Sequence, residues 1–144
     1  MIRVALAVFL TVALLAAVMP ALDEGRATRT AIHLDGVTDR IERAVHGLRA
    51  HEDPTPPGVV GARRIVTVRL PTPSWTAVGA TLRIDGAHDR IGYRLDGRRP
   101  HRTTIRGVDL RTPDGPLVVG SPGRHRLVVS LVRADGVGVV VGRG

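Results

Sequence analysis

The chain has 144 residues, a formal net charge of +8 and 43% hydrophobic residues, a composition that argues against disorder and leaves room for one modest domain beside a targeting segment. Cysteine is absent, which excludes disulfides, thiolate metal sites, cysteine nucleophiles and a lipoprotein anchor. Lysine is absent as well, so a Walker phosphate loop, Schiff-base chemistry and a Ser-Lys dyad are excluded.

The charge is unevenly placed. Arg3 alone is charged in the first 22 residues, residues 23–58 hold five Arg against seven acids, and residues 59–144 hold fifteen Arg against six Asp. The basic excess therefore belongs to the C-terminal part. Phe9, Trp75 and Tyr93 are the only aromatics, so any core is built from Val, Leu, Ile and Ala.

Residues 4–22 form an apolar run of about 19 residues with no charge inside it, long enough to span hydrocarbon as a helix. Arg3 and the start amine precede it and Asp23 and Glu24 follow. The positive-inside bias then predicts a cytoplasmic N-terminus and an extracytoplasmic remainder. The competing reading is a signal peptide cleaved after Ala27, at the small residues Gly25 and Ala27, which yields a secreted domain.

From residue 23 to 50 the period becomes helical. Leu34, Val37, Ile41, Val45 and Leu48 recur at spacings of three and four, with Ala27 and Ala31 on the same stripe, and predict an amphipathic helix. That stripe packs either on the chain's own β domain or on a partner helix, and its five large residues are the expected partner-helix interface. Residues 51–61 hold three prolines and two glycines, which end the helix and read as a linker.

Residues 62–144 read as strands. Residues 64–70 alternate with period two, and 75–84, 91–95, 102–105, 117–119, 127–132 and 137–141 follow. Asp85-Gly86, Asp96-Gly97, the loop at 112–116 and Asp135-Gly136 punctuate them. Residues 127–132, apolar on both faces except Ser130, predict a central strand with 137–141 as its hairpin partner. The fold class expected is mainly β with an N-terminal helix: a single transmembrane helix, an amphipathic extension, and a small antiparallel sandwich or barrel.

No catalytic pattern emerges. Ser74, Ser121 and Ser130 lie outside any nucleophile elbow, and His33 and His46 stand too far apart on a helix to share a metal. His88, His101 and His125 fall in turns or strands. No cofactor or small-molecule substrate is implied, and nucleic acid is not expected because stacking aromatics are lacking. Arg69, Arg83, Arg94 and Arg126 alternate with core positions and form the candidate anion-binding face, with a solvated outer surface as the plain alternative.

Several strings carry a resemblance across the whole chain. Met1-Ile2-Arg3-Val4 opens the apolar run; RRIVTVRL at 63–70 precedes Pro71 and Ser74-Trp75; RTPDGPLV occupies 111–118 and GRHRL 123–127. On these the chain resembles an uncharacterised family of small haloarchaeal membrane proteins, whose association with type IV pilus or secretion components implies protein partners in an envelope assembly. The order of apolar helix, amphipathic extension and β domain is also similar to type IV pilins. It departs from them in lacking a peptidase-site glycine before the apolar run and a glutamate early in the helix.

Overall fold

The computed structural model describes every residue except Val60 and Asp135. One helix, α1, runs unbroken from Ile2–His51, through Pro20. Pro20 has no N–H to give, so one backbone carbonyl a turn earlier loses its helical partner. In the apolar segment Thr11 Oγ1 donates to the Ala7 carbonyl at 2.8 Å, which satisfies that hydroxyl within the helix itself. The helix stops where prolines begin: Glu52 N–H closes on the Leu48 carbonyl at 3.1 Å, and Pro54 follows.

The two halves of α1 face different surroundings. Residues 1–25 are exposed throughout, and the helix is apolar enough over its first part to cross a membrane. From Ala27 onward one stripe is buried, with Leu34, Ile41 and Val45 at 0% exposure and Val37 and Leu48 at 2%. These five are packed into the chain's own core beside Val66, Leu82, Ile91 and Leu127. The partner-helix interface expected at Leu34, Val37, Ile41, Val45 and Leu48 is therefore corrected. The stripe is covered by the sheets of its own chain, because burial there satisfies the whole apolar face intramolecularly.

The strands are β1 (Arg63–Leu70), β2 (Ala80–Asp85), β3 (Arg90–Leu95), β4 (His101–Thr104), β5 (Asp109–Arg111), β6 (Leu117–Val119), β7 (Gly123–Ala134) and β8 (Gly136–Arg143). They form two four-stranded sheets, ordered β1-β7-β8-β5 and β4-β3-β2-β6. All pairings are antiparallel except β5 with β8. Each sheet is open, so the architecture is a sandwich and not a closed barrel. Alternation does the layering: Val66, Val68 and Leu70 face in from β1, and Leu127, Val129 and Leu131 from β7. The second half of α1 lies against β1 and β7 of one sheet and β3 of the other, and so closes the core between them.

Specific bonds fix this seating. Tyr93 Oη donates to Asp35 Oδ1 at 2.8 Å, Val78 N–H to Thr30 Oγ1 at 3.1 Å, and His33 Nε2 meets the Arg69 carbonyl at 2.9 Å. The linker is also held: Arg133 N–H donates to the Thr55 carbonyl at 2.8 Å and Leu131 N–H to the Ala62 carbonyl at 3.1 Å.

Three strand expectations shift. Residues 75–79 form a loop, and the strand begins at Ala80. β7 starts at Gly123, four residues early, because its polar first third pairs with β1. β5 is a strand the sequence pattern misses, three residues long and held by parallel pairing to β8. The expected central strand is β7, paired on both sides, and β8 is its hairpin partner. Asp135 of the expected turn lies outside the described residues.

Candidate anion-binding site

On the outer face of the β4-β3-β2-β6 sheet, strand register builds a ring of arginines around a glycine. In β2, Leu82 and Ile84 point inward, which turns Thr81, Arg83 and Asp85 outward. In β3, Ile91, Tyr93 and Leu95 are the inward set, leaving Arg90, Gly92 and Arg94 outside. Gly92 is paired with Arg83 on one side and Arg102 on the other. Directly opposed residues share a face at about 5 Å, and residues two apart on one strand at about 7 Å. Gly92 thus stands at the centre of a cross whose arms are Arg83, Arg102, Arg90 and Arg94.

The absence of a side chain at Gly92 has a local cause. A Cβ there would run into the His101 carbonyl oxygen and crowd Arg102 Cα at 2.9 Å, so the close approach of β4 requires glycine. The outcome is a groove of about 440 Å³ lined by the four arginines together with Thr81, Asp85, His88, Pro100, His101 and Val118. Behind the groove, on the inward side of the sheet, the paired residues Tyr93 and His101 hold their rings 5.3 Å apart.

The electrostatics are one-sided. Asp85 is the one acid among the lining residues, and it is already engaged by His88 Nδ1 at 3.1 Å and Arg83 Nη2 at 3.5 Å. The hydrogen bond from His88, opposed by partial desolvation and helped by Arg83, holds the Asp85 carboxyl below the usual range. Arg90, Arg94 and Arg102 have no ion-pair partner among the described residues. Three uncompensated guanidiniums around a notch present planar donor forks to an oxyanion.

The four arginines expected to share one face do not. Arg83 and Arg94 line this groove. Arg69 and Arg126 lie on the other sheet, on the opposite outer surface, with Arg69 directly across from Arg124 and Arg126 across from Thr67. The single basic face is corrected to two, because alternation within a strand sets inside against outside but cannot assign a strand to a sheet. The sequence pattern undervalued Arg90, although its parity with Arg94 was legible. It missed Arg102, whose face depends on where the 96–100 turn sets the register of β4. Among the described residues no group of three His, Asp or Glu gathers to hold a metal.

A family model described as "Domain of unknown function (DUF7311)" matches residues 1–143. No curated protein and no solved structure matches the chain.

Proposed function

We propose, from the premise that the chain belongs to the DUF7311 family over residues 1–143, that it is a non-enzymatic, single-pass membrane protein that displays an anion-binding β-sandwich outside the cytoplasm. The observation that carries this reading is the groove around Gly92, where Arg90, Arg94 and Arg102 face solvent without acidic partners among the described residues. The exposed apolar first half of α1 supports the anchor, and Arg3 before it with Asp23 and Glu24 after it supports an inside N-terminus. The ligand class is a polymer or headgroup bearing phosphate, sulfate or carboxylate.

The test uses the full chain in nanodiscs of phosphatidylcholine, titrated with alginate and with neutral dextran at several salt concentrations. Alginate is expected to bind, and binding to weaken as salt rises. Arg102→Gln and Arg94→Gln each weaken it about tenfold, equivalent to about 1.4 kcal/mol, while Arg69→Gln on the opposite surface leaves it unchanged. Equal effects of Arg69→Gln and Arg102→Gln, or binding flat with salt, overturn the groove as the site.

A second reading has its own observation in favour. One unbroken helix, bare and apolar in its first half and embedded in a β domain in its second, is the architecture of a pilin-like subunit. On that reading the protein is an accessory component of a haloarchaeal type IV pilus or secretion system, and the bare half of α1 packs against partner helices. Affinity purification from gently solubilised membranes, with intact mass on the same sample, separates the outcomes. A full-length mass with pilus or secretion subunits attached supports assembly. A soluble product lacking about 27 residues shows signal cleavage and removes both the anchor and this reading.

A further inference from the structure

The β domain meets α1 immediately beyond its apolar run, and two loops do the meeting. The turn after β3 reaches the helix through Arg98 Nη2, 2.8 Å from Glu24 Oε2. The loop before β2 reaches it through Val78 N–H on Thr30 Oγ1 at 3.1 Å. The loops stand side by side: Asp96 N–H donates to the Gly79 carbonyl at 2.9 Å, and a Cβ on Gly79 would strike Asp96 and press on Pro73 Cγ at 3.2 Å. At a rise of 1.5 Å per residue, Glu24 lies about 3 Å and Thr30 about 12 Å beyond Leu22, the last apolar residue. The apolar run itself is about 28 Å long by the same rise, matching a hydrocarbon core of about 30 Å with roughly 6 Å of headgroup layer on each side.

The tip of the loop before β2 is Trp75, the one tryptophan in the chain, and it is 86% exposed. Ser74 N–H donates to the Ala77 carbonyl at 2.9 Å and Thr76 N–H to Ser74 Oγ at 3.2 Å, so the turn that presents Trp75 is braced from within. Indole is the side chain that favours the boundary between hydrocarbon and headgroups, because an apolar ring carries one N–H donor. Charge at this end nearly balances: Arg26, Arg29, Arg98 and Arg99 stand against Asp23, Glu24 and Asp96.

We propose that this end of the β domain is seated on the bilayer its own helix spans, with Trp75 inserted at the headgroup boundary as the contact that sets the domain against the membrane. The partner is the lipid interface itself and not a second protein. The near-balance of charge means that zwitterionic lipid suffices. The proposal rests on the membrane-spanning reading of α1, and it is independent of the anion groove.

Because Trp75 is the single indole, its fluorescence reports on this contact without labelling. The full chain is placed in phosphatidylcholine nanodiscs, plain or carrying bromines near the headgroup end or near the middle of the acyl chains. Trp75 emission is expected to shift to shorter wavelength than in the urea-unfolded chain, and to be quenched more by the shallow bromines than by the deep ones. Its accessibility to aqueous iodide is expected to fall at least twofold. A Phe9→Trp, Trp75→Phe variant reads the helix separately and is expected to be quenched by the deep bromines. Deep quenching in that variant with unquenched, iodide-accessible Trp75 in the parent overturns the seating while leaving the span intact. No quenching in either overturns both. Protection of Trp75 that appears only when a co-purifying protein is present assigns the surface to that protein and also overturns the proposal.

Discussion

Truncating Ile41 to alanine separates a helix that belongs to the β domain's core from one that merely passes beside it. Ile41 is fully buried and sits in one apolar cluster with residues of both sheets. The substitution removes three outer carbons, about 2.4 kcal/mol at about 0.8 kcal/mol each. The unfilled space adds to this, since neighbours held by two sheets collapse only partly, so the loss falls at about 3–4 kcal/mol. With a urea slope of about 1.5 kcal/mol/M for a small domain, the unfolding midpoint drops by about 2 M or more. The assay is urea unfolding of the nanodisc-embedded chain, followed by circular dichroism and by amide exchange in β3 and β7. Leu10→Ala, at 60% exposure on the bare half of the helix, leaves the midpoint in place. A midpoint for Ile41→Ala within about 0.5 kcal/mol of the parent refutes the shared core and returns the stripe to an external partner.

Two further outcomes follow from named contacts. Tyr93→Phe removes the phenol that donates to Asp35 and costs about 1.5–3 kcal/mol, the range for a hydrogen bond to a charged group, measured by the same urea midpoint. Desolvation first, and then the Asp35 bond and charge, raise the Tyr93 phenol from 10.0 to about 12. The fold therefore favours the protonated phenol. Its contribution is whole below pH 10.0 and fades as pH rises to about 12. Tyr93→Phe is expected to lose that alkaline slope, and a mutant whose pH–stability curve between 10 and 12 parallels the parent's contradicts the assignment. Gly92→Val puts atoms where the His101 carbonyl lies and forces β4 away from β3. Faster amide exchange confined to β4, together with loss of alginate binding, is expected, and unchanged exchange there denies the close approach.

Much of the architecture is legible in the residues themselves, and the reason is periodicity. Residues 4–22 are apolar apart from Thr11 and Pro20, residues 27–48 repeat every three or four, and 64–70 alternate; each pattern reports the solvent on either side of one element. The same patterns name part of the core: Leu34, Ile41, Val66 and Val68 are separable from their neighbours by spacing alone, whereas 127–132, apolar on both faces except Ser130, leaves Leu127 and Val129 undistinguished from Val128. Arginine at 90 and 94 with glycine between them was visible too, as one outward row.

What spacing cannot carry is the identity of the surface across from each face. The stripe on α1 fits a partner helix and the chain's own sheets equally well until the two sheets leave a gap that only the helix fills. Arg69 and Arg126 share the alternation of Arg83 and Arg94, yet β1 and β7 belong to one sheet and β2 and β3 to the other. Arg102 joins the groove solely because the turn before it pairs that residue with Gly92. Local sequence sets which side of a strand is wet, since that depends on the strand's own side chains. Which strands lie side by side depends on long-range hydrogen bonding and on closure of the shared core, and that choice was made by the tertiary structure.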